Sequence, residues 1–246
     1  MNAAPVTETA PPAPFVNLRA FAAAAAAAPA PGSGDGGNWA TARVPAPVPG
    51  GGLGIAALLL EPGHGIASAT GSEIVLVLEG ALSLTADTAT IRLGPGEAAI
   101  LPMGSDFHWR ADEPVRAVTI SADRPGPQGA RLVRIAPDAP HEPSATPDPR
   151  LLAGEQLPLC AQHVDFRSAD GGFYCGTWSS SPYHRLPMTY GHWEAMYLLE
   201  GEVAFGDAEG NETLVGPGDF IVVPQGQVAS WRGIGPTRKL FAILRP

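Results

Sequence analysis

The sequence predicts an all-β chain built from two tandem copies of one sandwich- or barrel-type domain. Three observations carry this. Gly (30) and Pro (27) punctuate the 246 residues densely, which favours many short strands and turns over long helices. The segments between these breaks are short and apolar or alternating, with no helical period. Most telling, the second half of the chain repeats the first, motif for motif.

In chain order, residues 1–14 and 22–37 are rich in Ala, Pro and Gly and read as a flexible arm and a low-complexity insert, expected to lie outside both cores. A short strand is expected at 15–20. Strands follow at 53–61, 73–79, 81–85, 90–93, 97–101 and 115–121, separated by turn signals such as Glu61-Pro-Gly, Gly94-Pro-Gly96 and Pro102-Met-Gly104. The second half offers 194–200, 202–205, 212–215, 219–223 and 239–244. This gives an arm and insert at 1–38, a first barrel at 39–125, a linker at 126–157 and a second barrel at 158–246.

The repeat is long enough to fix a register. Glu73-Ile-Val-Leu-Val-Leu-Glu-Gly80 matches Glu194-Ala-Met-Tyr-Leu-Leu-Glu-Gly201, and Gly94 to Gly104 matches Gly216 to Gly226. Trp109 lies seven residues after Pro102, as Trp231 does after Pro224. Upstream, Val16-Asn-Leu-Arg19 echoes Val164-Asp-Phe-Arg167, and Asp35-Gly-Gly37 echoes Asp170-Gly-Gly172. A repeat seen twice means a duplicated domain, not a solenoid. Glu73 is therefore expected to overlay Glu194, and Trp109 to overlay Trp231, in two barrels related by approximate two-fold symmetry.

Composition narrows the function. Net charge is −9 with only 16 % charged residues, and no basic stripe is present, so nucleic acid is not an expected partner. No run reaches the eighteen apolar residues of a membrane span. The alanine run 22–28 is short for a secretory h-region and only Arg19 precedes it as a positive charge, so a cytoplasmic location is the expectation. Cys160 and Cys175 have no metal-type spacing and read as free thiols. No nucleophile triad, phosphate loop or dinucleotide motif occurs.

The repeated residues resemble the cupin superfamily, whose barrels are double-stranded β-helices, or jelly rolls. Glu73 with Gly80 and Glu194 with Gly201 keep the second half of the family's first motif. Gly96, Pro102 and Gly104, like Gly218, Pro224 and Gly226, keep its second. Trp231 followed by Thr237-Arg-Lys-Leu-Phe241 is similar to the ureidoglycine aminohydrolase-like and ethanolamine-utilisation cupins. The resemblance implies two tandem jelly-roll barrels and, in the family, a divalent metal (Mn, Fe, Ni or Zn) held by imidazoles and a carboxylate. The chain departs from that ligand set. The motif histidines should fall near residues 187–190 and 66–69, and none is there; the late histidine positions carry Phe107 and Ala229. His108, one place on, is turned to the opposite face by strand alternation unless the rim bends. His64 and His192 are the other imidazole candidates.

The site residues expected from this are Glu194 as base or ligand, with Tyr190, His192, Tyr197, Trp231 and Lys239 around it. His192 and Glu194, two apart, can share one face and form a two-ligand metal fragment. Glu73 and His108 are the weaker first-barrel counterparts. Each glutamate also reads as a plain hydrogen-bond anchor of its barrel mouth, each tryptophan as packing, and Lys239 as an outward surface residue. A small polar metabolite bound in the second barrel is the expected function. An aminohydrolase-like enzyme acting on a ureido or amide compound, with or without a metal, is the alternative, and a structural or assembly role the third. A homodimer is left open.

Overall fold

The computed structural model describes residues 16–27, 38–48 and 52–246. The chain opens with β1 (Val16–Asn17) and α1 (Leu18–Ala27). A first set of strands follows: β2 (Arg43–Pro45), β3 (Gly54–Leu60), β4 (Gly63–Ser68), β5 (Ser72–Glu79), β6 (Leu82–Ala86), β7 (Ala89–Leu93), β8 (Ala98–Leu101), β9 (Asp106–Ala111), β10 (Val115–Ala122) and β11 (Val133–Ile135). The second set is β12 (Glu142–Pro143), β13 (Cys160–Arg167), β14 (Phe173–Ser180), β15 (His184–Thr189), β16 (Trp193–Glu200), β17 (Val203–Gly206), β18 (Glu212–Val215), β19 (Phe220–Val223), β20 (Val228–Gly233) and β21 (Thr237–Leu244).

Each set forms two facing sheets. The first has the order β11-β8-β5-β10-β3-β2 opposite β4-β9-β6-β7, and the second β1-β19-β16-β21-β14-β13-β12 opposite β15-β20-β17-β18. The shared order β8-β5-β10-β3 and β19-β16-β21-β14 is the duplication made visible. Its register agrees residue by residue. Glu73 pairs with Leu101 and Ser121, and Glu194 with Val223 and Ile243. Trp109 pairs with Leu84, and Trp231 with Phe205. At the turn after each central strand, Gly80 (φ 79°) and Gly201 (φ 81°) take the left-handed conformation, where a Cβ would also strike the carbonyl of Pro114 or Pro236; only glycine fits both demands.

Strand alternation sorts side chains into two environments. One face of each large sheet looks into its own barrel. The other faces meet in one cluster, in which Ile55, Ile74, Leu76, Val118 and Ile120 of the first barrel join Cys175, Ala195, Tyr197, Phe220 and Leu240 of the second. The barrels are thus fused back to back through their large sheets.

Three expectations are corrected here. Residues 18–20, expected within a short strand, and 22–27, expected within the insert, form one helix whose Leu18, Ala22 and Ala25 enter the cluster between the barrels. Alanine is the best helix former, and Asn17 Oδ1 caps the first turn by accepting from Ala20 N at 3.0 Å; a compositional reading of low complexity overlooked both. Residues 28–37, including the Asp35-Gly-Gly37 echo, lie outside the described residues. The Val16 echo of Val164 does not reflect equivalent positions: Val16 pairs with Val222 on β19, whereas Val164 pairs with Gly176 on β14. Finally, the expected linker carries β11 and β12, which extend a sheet of the first and second barrel respectively.

If α1 is structural, Leu18→Ala lowers stability by about 2–5 kcal/mol, the range for truncating a fully buried leucine, measured as a shift in the denaturant midpoint. A flexible arm would give no shift.

Candidate functional site

The polar part of the second barrel's interior is built from inward residues of β14, β15, β16, β20 and β21. On β15 a bulge between Arg185 and Met188 brings Arg185 opposite Trp231 and Met188 opposite Ala229, so that both face inward despite their odd spacing; Tyr190 follows two residues later. On β16, Glu194, Met196 and Leu198 alternate inward. Trp178 on β14 and Lys239 on β21 are direct cross-strand partners, so they share the same face. Trp178, Tyr183, Arg185, Met188 and His192 keep partial exposure, which leaves the interior open to solvent along β15.

Glu194 and Lys239 are the electrostatic centre. Lys239 Nζ donates to Glu194 Oε1 at 2.7 Å, and His192 Nε2 lies 3.3 Å from Oε2. The same ammonium sits 4.8 Å from the Trp178 ring centre, 4.9 Å from that of Trp231 and 3.0 Å from Met196 Sδ, an aromatic cage for a cation. Trp231 is further held edge-on by Phe205 and Trp178 and stacked on Tyr183. Both members of the pair are buried, Glu194 8 % and Lys239 7 % exposed. Burial alone would raise the Glu194 carboxyl, but Lys239 and His192 outweigh it and hold it at about 2.

A second cation lies nearby. Arg185 Nη2 donates to Tyr190 OH at 3.0 Å and to Ala229 O at 3.3 Å, with the guanidinium 5.0 Å from the Tyr190 ring centre. Burial opposes its charge, and Tyr190, Tyr183 and Glu194 outweigh that, so it remains a cation. Burial pushes the Tyr183 and Tyr190 phenols up; both stay neutral.

The first barrel handles its equivalent glutamate differently. Arg43, on β2, clasps Glu73 through Nη2 at 2.6 and 2.8 Å, and Trp39 Nε1 donates to it at 3.3 Å. Trp39 then fills the barrel, edge-on to Phe107 at 5.0 Å and 6.4 Å from Trp109. Around it are Leu58, Val75, Val77, Leu84, Leu101 and Ala117. The chain itself occupies this interior. Seven buried side-chain polar atoms of the described residues have no partner. Three belong to inward residues of the second barrel (Ser180 Oγ, Arg185 Nε and Trp231 Nε1) and one, Arg43 Nε, to the first. Buried polar atoms are normally satisfied, so the second barrel carries the larger unmet demand.

The structure therefore brings together Tyr190, His192, Glu194, Trp231 and Lys239 of the expected residues. Tyr197 is not among them: it is three residues from Glu194, so alternation turns it into the cluster between the barrels. His108 and His64 point outward and are exposed, Phe107 taking the inward place beside His108. Lys239 is inward, not a surface lysine. Sequence reasoning missed Arg185, Trp178, Tyr183 and Met196 around Glu194, and Trp39 and Arg43 around Glu73. Strands β14 and β15, which were not foreseen, carry two of these, Trp178 and Arg185, and Tyr183 lies between them. The signal for Met196 was present, two residues after Glu194 on a recognised strand.

The residues do not fit the metal that cupins imply. Tyr190 and Ala229 stand inward where imidazoles are needed, and the carboxylate that would be a ligand is already paired with an ammonium. No group of three His, Cys, Asp or Glu side chains suited to a metal occurs among the described residues. Lys239 holds the positive charge instead.

Breaking this buried pair from one side leaves an uncompensated charge. Glu194→Gln or Lys239→Met each costs about 3–5 kcal/mol, and the double variant Glu194→Gln/Lys239→Met costs less than the sum, as equilibrium unfolding would measure. Because the Glu194 carboxyl is more acidic folded than unfolded, its stabilisation is full above its ordinary value of 4.5 and disappears as pH falls toward about 2. The stability profile of Glu194→Gln is correspondingly flatter through that window.

Comparison with known proteins agrees with this fold. Residues 167–241 match the family model described as EutQ-like cupin domain. A protein of unknown function of the DUF861 family from Pseudomonas syringae pv. tomato is similar at 27 % identity, over 82 % of this chain and 86 % of that one, with a TM-score of 0.75. Protein Ylba from E. coli, also DUF861, is similar at 15 % identity over 82 % and 81 % (TM-score 0.52). A salicylate 1,2-dioxygenase from Pseudoaminobacter salicylatoxidans is similar at 13 % over 95 % and 83 % (TM-score 0.59); likenesses this remote speak to fold alone. No curated protein matches the chain by sequence. Two jelly-roll barrels in one register, together with these likenesses, give the chain a cupin-type fold, and residues 167–241 resemble the EutQ-like cupin domain.

Proposed function

We propose that the second barrel is a metal-independent binding site for a small polar metabolite, and that the first barrel is its scaffold. The observation that supports this is the contrast between two equivalent interiors. The first is closed by Trp39 and the Arg43–Glu73 pair. The second keeps a charged, aromatic-walled interior with partly exposed inward residues and several unsatisfied polar atoms. Convergent polar groups among aromatic side chains are the usual make-up of a small-molecule site.

The hydrolase reading draws on the carboxylate–imidazole contact between Glu194 and His192. Against it stands the ion pair. A general base works best with a proton affinity near the operating pH, and Glu194 is held far below that by Lys239. Its role here is to fix the ammonium among the two indoles.

The test combines elemental analysis of purified protein with a thermal-shift screen of ureides, amino acids and small sugars. The expected outcome is metal well below one equivalent per chain and a stabilising ligand. Its binding should be lost in Glu194→Gln and kept in Glu73→Gln. Equal loss in both variants, or loss only in Glu73→Gln, would place the ligand in the wrong barrel for this proposal. Ammonia release from a ureide or amide would favour the hydrolase.

A further inference from the structure

We infer that the solute taken by the second barrel carries a carboxylate, with Arg185 as its receptor; this rests on the binding reading above and names its chemistry. Lys239 and Arg185 bring two positive charges to the interior, and Glu194 is the carboxylate they could share. Glu194 is already committed, Oε1 to Lys239 and Oε2 to His192. No carboxylate of the described residues lies within ion-pair distance of Arg185. Its hydrogen bonds go to a phenol and a backbone carbonyl, both neutral and both through Nη2. Nη1 makes none among the described residues, and Nε is buried without an acceptor.

A half-buried arginine whose Nε is buried without an acceptor carries an unmet demand, since a charge withdrawn from water ordinarily acquires a partner. The first barrel shows the rule obeyed within this same chain: Arg43 reaches in and takes both oxygens of Glu73. The second barrel has no such internal anion. Gln162 pairs with Trp178 as Arg43 pairs with Leu58, so the equivalent place on β13 holds a neutral side chain. The guanidinium fork matches the planar, two-oxygen geometry of a carboxylate. Trp178, Tyr183 and Trp231 supply apolar surface for the rest of a small molecule.

The probes are three acid–amide pairs of nearly equal shape: acetate and acetamide, lactate and lactamide, benzoate and benzamide, with inorganic phosphate alongside. Binding to the full-length protein is read by tryptophan fluorescence and calorimetry. At least one acid should bind about tenfold or more tightly than its amide, the difference expected from losing a charge-assisted contact. Arg185→Gln should bring that acid down to the level of its amide, while Arg185→Lys, which keeps the charge, retains part of the preference. If Arg185→Gln does not fold, Arg185→Lys against the native protein carries the same comparison, and an unchanged preference there overturns the assignment. Amides that bind as well as acids would overturn the carboxylate and leave the binding reading standing. Phosphate binding tighter than every acid would also overturn it. Failure of every probe, charged or neutral, would count against both readings.

Discussion

A carboxylate withdrawn from water has to be neutralised where it stands, and each barrel of this chain is arranged around one. Glu73 and Glu194 open equivalent strands, face equivalent interiors and pair with equivalent neighbours. What differs is the direction from which the positive charge arrives. In the first barrel it comes from the edge of the large sheet, on Arg43 of the short strand β2, accompanied by Trp39. In the second it comes from within, on Lys239 of the strand hydrogen-bonded to Glu194's own strand. The position matching Lys239 in the first barrel is Ala117, too small to reach. Several matched register positions thus separate the two interiors: Ala117 against Lys239, Leu58 against Trp178, and Arg43 against Gln162.

The Glu194–Lys239 pair bears on why the residues of this interior do not fit the metal that the cupin resemblance implies. A divalent ion needs a vacant carboxylate and several neutral imidazoles. Lys239 occupies the carboxylate, and its ammonium is held by two indole faces and a thioether. Tyr190 and Ala229 take inward places that suit packing. An ammonium so placed is a fixed charge, unable to exchange ligands as a metal does, and it suits recognition better than activation of water.

The N-terminal segment ties this arrangement together. β1 joins the large sheet of the second barrel at β19, α1 then packs over β3 and β10 of the first barrel and β19 of the second, and Arg43 ends the path inside the first barrel on Glu73. A stretch of chain preceding the duplicated cores therefore bonds to both. Its helix fits because alanine combines high helix propensity with side chains small enough to lie close to two sheets.

By itself the sequence determined the all-β class, the duplication and its register, because these depend on local signals: alternation within a strand, glycine at turns, and motif spacing repeated along the chain. It also determined that His192 and Glu194 share a face, a matter of parity over two residues. The same parity should have excluded Tyr197, which is odd with respect to Glu194. Only the tertiary structure decided the partners. Arg43 meets Glu73 across 30 residues and Lys239 meets Glu194 across 45. Such contacts depend on which strands pair and where a bulge such as that in β15 re-aims a side chain. Arg185 is inward only because of that bulge. No local pattern marks it, since hydrogen bonding between distant strands sets the pairing, and the pairing sets the face.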